Sequence, residues 1–231
     1  LCRAQGQSGR RVACLGAGDQ RALTCAPAPG YVAGLFDQYA EKFDAHLVET
    51  LAYRGPQILR DAILPAAPGR TFECALDLGC GTGLMGEALA DLCAVIDGVD
   101  LSSRMVEVAR SRGIYRSLDV GDIAAWLKAQ PAQGADLAVA ADVFVYIGDL
   151  DEIFAAAAAC LRSNGLFAFT VQTSNGAEFE VGEDMRYGHT RNYLLALAQR
   201  HGFSLCVIED ASTRLDAGKP VPGLVVVLKK P

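Results

Sequence analysis

The stretch "LDLGCGTGLMG", Leu76 to Gly86, constrains the fold more than any other part of the chain. It sets Gly79, Gly81 and Gly83 between an extended apolar run, "CALDLG", and a helical pattern from Leu84 to Leu92. Without a Cβ, glycine lets the backbone turn sharply and lets a ligand approach it closely. A strand turning through glycines into a helix is a unit of an α/β sheet, with ligands held at the carboxyl end of the strand. Read from Gly81 the loop is G-x-G-x-x-G, the dinucleotide fingerprint; read from Asp77 it is D-x-G-x-G-x-G. The glycines alone serve either ligand, so the surroundings must decide.

Strand and helix signals alternate after the loop. "AVIDGVDL" reads as a strand, and Ser102 caps a helix through "SRMVEVARSRG" that stops at Gly113. "YRSLDV" is expected as strand three, "DIAAWLKA" as a helix and "ADLAVAADV" as strand four. Leu150 to Leu161 reads as a helix ended by "RSNG", and "LFAFTVQ" as strand five. A polar loop is expected as far as Gly188, then a helix from Thr190 to His201 and the strands "FSLCVIEDASTRL" and "GLVVVLKK". Such alternation implies parallel strands with helices on both faces. The turn-rich "DAGKPVP" is too short for a crossover helix, so the last strand must run antiparallel to its neighbour. The expected fold is α/β: a Rossmann-like, seven-stranded, mostly parallel sheet closed by a C-terminal antiparallel hairpin.

Upstream, residues 1–30 lack periodicity and read as a flexible lead-in. Phe36, Ala40, Phe43, Leu47 and Leu51 then mark the apolar face of a helix, and a second helix is expected from Pro56 to Leu64. These helices, within 31–65, are expected to form a lid over a core at 72–231, making one domain of 31–231. A length of 231 residues suits that count. The net charge of −6 and the absence of a basic run argue against a nucleic-acid partner. "IFAAAAACL" falls well short of the roughly 20 residues that span a bilayer, so no membrane segment is expected. Eight cysteines without a C-x-x-C pair, and only three histidines, point to a reducing cytoplasm and no metal.

Three acids separate the candidate ligands. Asp77 lies inside strand one, where a buried carboxylate is costly without a partner. A dinucleotide does not need it there; the ammonium of a bound amino acid would offset it. Asp100 ends strand two, placed to accept both ribose hydroxyls. Asp122 follows strand three, placed to accept from an adenine amine while Ile123 offers its backbone N–H. Each has a competing reading: backbone bonds for Asp77, helix caps for Asp100 and Asp122. Their recurrence at successive strand ends, with the hairpin downstream, favours S-adenosylmethionine as cofactor and S-adenosylhomocysteine as product.

With "LFDQYAEKFDAHLVETLAYRGP", "GVDLSSRMVEVA", "ADVFVYIGDL" and "MRYGHTRNYL", the chain resembles the class I S-adenosylmethionine-dependent methyltransferases from about Tyr31 to Lys230. It is most similar to predicted methyltransferases associated with tetratricopeptide repeats, a group akin to BioC-like and ubiquinone-biosynthesis-like small-molecule enzymes. The resemblance implies a cofactor site of Asp77, Leu78, Gly79, Cys80, Gly81, Gly83, Asp100, Leu101, Asp122, Ile123 and Asp142. It also implies that Met105 packs under adenine and that Tyr39 reaches the cofactor carboxylate. The second phenol of the usual Y-A-x-x-Y-D pattern is Phe43 here.

In that fold the segment after strand four, with Asp142 and Tyr146, faces the methyl group. It lacks the Asn/Asp-Pro-Pro-Tyr pattern used on the amino groups of bases and glutamine. The expected partner is therefore a small-molecule acceptor, lined by Tyr146, Arg186, Tyr187 and His189. Tyr146 and His189 are the catalytic candidates, His189 being the best base. Its competing reading is that it merely begins the helix after it. Rival functions are peptide methylation, a non-catalytic S-adenosylmethionine-binding module and, more distantly, a dinucleotide oxidoreductase.

Overall fold

The computed structural model describes Gly34, Asp37 and residues 53–231 apart from 177 and 217. Tyr39, the lead-in and most of the expected lid lie outside the described residues; Gly34 and Asp37 are helical. Helix α1 (Gly55–Ala66) carries Pro56 in its first turn, where the missing N–H has no helical partner to lose. There follow β1 (Ala75–Leu78), α2 (Leu84–Leu89), β2 (Ile96–Asp100), α3 (Ser103–Ser111), β3 (Ser117–Val120), α4 (Ile123–Ala129) and β4 (Ala135–Ala140). A single 3-10 turn, Phe144–Tyr146, precedes α5 (Asp151–Cys160), β5 (Leu161–Thr173), β6 (Phe179–Val181), β7 (Tyr187–His189) and α6 (Arg191–Arg200). The chain then adds β8 (Ser204–Ala211), β9 (Leu215–Asp216), β10 (Lys219–Pro220) and β11 (Gly223–Lys229).

The main sheet has the order β3-β2-β1-β4-β5-β11-β8. β1 pairs in parallel with β2 and β4, and β11 runs antiparallel to both β5 and β8, as the short last connection requires. The central strands are buried on both faces, and their side chains alternate between two cores. Phe167 and Phe169 of β5 and Leu224 and Val226 of β11 enter the core with α4, α5 and α6. Leu166, Ala168, Val225 and Val227 enter the core with α1 and α2. Phe154 meets Phe167 and Phe169 edge-on at 5.3 and 5.5 Å between ring centroids. Each such buried ring contributes about 1.5–3 kcal/mol over its exposed state. No helix among the described residues is long and apolar enough to cross a membrane.

Three expectations are corrected. The polar loop before Gly188 contains β6 and β7, with β7 joining β5 in parallel and β6 pairing antiparallel to it. The sheet therefore has two strands beyond the expected seven; at three residues each, they are too short to show a period. The strand expected to continue through "DASTRL" ends at Ala211. Helix α2 stops at Leu89, short of Leu92.

Candidate active site

The chain runs outward from β1 to β3 and returns to β4 beside β1, so a crevice opens at the carboxyl ends of β1, β2 and β4. Along β1, Leu76 and Leu78 enter one core and Ala75 the other, which turns Asp77 toward α1 and α2. Asp77 is 1 % exposed. Its Oδ2 accepts from the Tyr115 hydroxyl at 2.6 Å, while its Oδ1 is buried without a hydrogen-bond partner. Burial raises the carboxyl to about 7, opposed by the Tyr115 bond and assisted by the charge of Asp100. A cationic group at Oδ1 would meet the unfilled hydrogen-bonding need and favour the ionised form.

The glycine loop is tied to β2. The Gly79 and Cys80 amides donate to Val99 O at 2.8 and 2.9 Å, and Gly81 N donates to Asp100 Oδ2 at 2.9 Å. Asp100 Oδ1 accepts from Ser102 N at 2.8 Å. Asp100 thus fastens the loop to the β2–α3 turn, and each oxygen keeps a lone pair for a further donor. Burial pushes its carboxyl up, against the Ser102 and Gly81 bonds. Two acids so close suit a ligand that brings positive charge.

Gly79 and Gly81 both have positive φ, +71° and +52°. A Cβ at Gly79 would strike Val143 at 2.6 Å, whereas one at Gly81 would meet nothing within 4 Å. Gly81 therefore faces open space and Gly79 a packed side chain. Asp37 joins this rim, accepting from Ser102 Oγ at 2.6 Å.

The remaining cofactor candidates divide. Met105 is buried beneath the rim, its N–H donating to Ser102 Oγ at 3.1 Å. Asp122 caps α4 by accepting from Ala125 N at 2.9 Å, and Ile123 is buried beside it. Leu78 lies within the core, Cys80 is buried with Sγ 3.8 Å from Gly81 O, and Leu101 is exposed. Asp142 is engaged elsewhere. Its carboxylate accepts from Arg214 Nη1 at 2.7 and 2.8 Å and from Thr213 Oγ1 at 3.1 Å. Arg214 is 3 % exposed, donates from Nη2 to Gln172 Oε1 at 3.1 Å, and leaves Nε buried without a partner. Asp142 has φ +59°, an unfavoured backbone for a non-glycine, and its N–H donates to Thr170 Oγ1 at 2.8 Å.

Tyr53 links the two sides. Its hydroxyl donates to Ala141 O at 3.4 Å. Burial raises this phenol well above its usual range, and the nearby charges of Asp142 and Asp77 raise it further. Tyr146 is likewise pushed up by burial, opposed by Arg186, whose guanidinium lies 6.0 Å from its ring centre. Tyr187 packs on Gly148 and edge-on to Phe179.

His189 is not on an open loop. It ends β7, is 0 % exposed, and its Nε2 lies 2.9 Å from Gly148 O. That carbonyl requires a donor, which assigns the proton to Nε2 and leaves Nδ1 as a buried lone pair without a partner. Burial lowers the imidazole pKa, so the ring is neutral at pH 7. Sequence reasoning missed Tyr53, Tyr115, Thr213 and Arg214. Tyr53 lies in the leading helix motif, where nothing marks it out, and the other three lie in no motif; Asp142 and Arg214 meet across 72 positions.

Residues 51–209 match the model of a methyltransferase domain. Ubiquinone biosynthesis O-methyltransferases are similar: that of Bordetella avium is 27% identical over 111 residues, covering 45% of this chain and 44% of its own length. That of Brucella ovis is 33% identical over 93 residues, covering 39% and 38%. The matches span less than half the length of these relatives. Among solved structures, the 1,6-didemethyltoxoflavin-N1-methyltransferase of Burkholderia thailandensis has a TM-score of 0.65 at 22% identity, covering 90% and 94% of the two chains. The cyclase SpnF has a TM-score of 0.68 at 18% identity, covering 91% and 99%. At such identities these structures show the fold alone, and one fold hosts more than one reaction. The domain match, joined to the acid-lined glycine loop, decides between the two readings of "LDLGCGTGLMG": the chain belongs to the class I S-adenosylmethionine-dependent methyltransferases.

Proposed function

We propose that this chain transfers the methyl group of S-adenosylmethionine to a small-molecule acceptor. The observation that carries the reading is the pairing of a buried, unpartnered Asp77 Oδ1 with open space at Gly81 on the same rim. In this reading Asp77 receives the cofactor's ammonium and Asp100 its ribose hydroxyls, while Asp122, Ile123 and Met105 lie on the adenine side. Bound S-adenosylmethionine supplies a methyl already activated on a sulfonium, with a neutral thioether as leaving group. The chain's own work is alignment and exclusion of water, and alignment can contribute about 7–11 kcal/mol. In this reading Val143 and the half-buried phenol of Tyr53 close the crevice on the acceptor side. Tyr146, Arg186 and Tyr187 line that side. The Asp142–Arg214 pair supplies a rigid polar floor there rather than a cofactor contact. His189, through Nδ1, is the proposed proton acceptor for an acceptor group that must lose one.

The names of the curated relatives support oxygen as the first acceptor atom to try. Within the class we place the chain beside the methyltransferases associated with tetratricopeptide repeats, on the strength of "MRYGHTRNYL" and the leading helix motif. We assign it to the cytoplasm because Cys80 and Cys160 sit as buried free thiols. The test is incubation with cofactor labelled in the methyl group and a cell extract. Label should appear in a new dialysable species that chromatography separates from the cofactor. Label confined to protein would replace the reading with peptide methylation, and no transfer despite tight S-adenosylhomocysteine binding would leave a binding module.

A further inference from the structure

Tyr115 belongs to none of the motifs, yet the glycine loop and β2 are shaped around it. Asp77 and Gly98 are register partners on adjacent strands. The Tyr115 ring crosses Gly98, where a Cβ would lie 3.0 Å from its Cε1, to deliver its hydroxyl to Asp77 Oδ2. On the α2 side, a Cβ at Gly86 would collide with that same hydroxyl. Two glycines thus keep open the channel through which this phenol reaches the carboxylate. Burial and the neighbouring Asp77 push the phenol far up, so it remains a donor at every working pH.

We propose that Tyr115 is a positioning residue for the cofactor: by occupying Asp77 Oδ2 it orients the carboxylate and sustains its negative charge for the ammonium at Oδ1. This rests on the reading of Asp77 as the ammonium partner. The titratable groups around Asp77 are Asp100 from β2, Cys80 from the loop, Cys93 after α2, Tyr53 before α1, and Tyr115 itself. Of these, Tyr115 is the one that lowers the Asp77 pKa, alongside the Gly86 backbone; Asp100 raises it. Removing the phenol hydroxyl therefore moves the carboxyl further toward its neutral form at neutral pH.

The experiment is calorimetric titration of the full chain with S-adenosylhomocysteine from about pH 6 to about pH 9, a range that spans the Asp77 carboxyl. Tyr115→Phe keeps the ring in its channel and removes only the bond. Its affinity should fall roughly tenfold at neutral pH, the size of a charge-assisted hydrogen bond. The midpoint of the pH dependence should rise, and the gap from the parent should narrow toward alkaline pH. Gly86→Ala, which displaces the hydroxyl, should move the midpoint the same way. An unmoved midpoint overturns the proposal, whether affinity is unchanged or falls equally at every pH. Asp77→Asn separates the levels. If it binds like the parent, the Asp77 reading fails and the Tyr115 role with it. If it binds weakly and without pH dependence while Tyr115→Phe keeps the parent's midpoint, only the Tyr115 role fails.

Discussion

Gly79 and Gly81 share a left-handed backbone but not their surroundings, and the difference is measurable. Alanine at either carries the left-handed penalty of about 1–2 kcal/mol. Gly79→Ala adds a collision with Val143 and should lower the melting temperature by several degrees more than Gly81→Ala. Gly81→Ala should instead weaken S-adenosylhomocysteine binding, because its methyl enters the open space proposed for the ligand. Parent-like affinity in that variant would mean that the ligand lies elsewhere. His189 allows a similar separation. Glutamine can keep a donor toward Gly148 O while removing the Nδ1 lone pair. If His189 accepts a proton, His189→Gln lowers kcat at least tenfold with cofactor affinity unchanged; full turnover would leave it as the link between β7 and the Gly148 turn.

At the scale of elements, the alternating strands and helices and the antiparallel ending are legible in the sequence, because each has its own period and the connections have decisive lengths. β6 and β7 escape notice since three residues carry no period, and their pairing is fixed by β5 from a distance. The proposed cofactor side is readable for a related reason: loop, Asp100 and Asp122 each adjoin a strand end. The proposed acceptor side is not, because Asp142 is joined by Thr213 and Arg214 from beyond β8. That junction makes its own prediction. Removing one partner of a buried ion pair costs about 3–5 kcal/mol, while removing both costs less. Asp142 keeps 18% side-chain exposure, which places Arg214→Gln at the lower end of that range. Asp142→Asn combined with Arg214→Gln should recover part of the loss in urea unfolding midpoint, with the Thr213 bond retained. Equal losses in the single and double variants would show that the two side chains do not act as a unit.

For the whole molecule, the binding crevice is a cost to the unliganded fold, and pH exposes it. The Asp77 carboxyl is raised by burial to about 7 in the folded chain, against a value near 3.9 in an unfolded one. The folded state therefore holds a proton that the unfolded state releases. Its stabilising effect is full below about pH 4 and is lost as pH climbs through about 7. A difference of that size is on the order of 4 kcal/mol between the two limits. The apo protein should thus melt at a lower temperature at about pH 8 than at about pH 5.5, a window that falls inside that loss. His189, whose pKa is lowered, works in the opposite sense as pH falls, and Asp100 in the same sense as Asp77. Both remain in Asp77→Asn, so the difference between parent and variant isolates Asp77. That difference should favour the variant at alkaline pH and shrink toward acid, because a neutral amide stands in for a carboxyl that is itself protonated there. Parallel melting curves for the two proteins across the range would mean that Asp77 keeps an ordinary carboxylate pKa despite its burial. The orphaned Oδ1 would then need another explanation than a cation awaited.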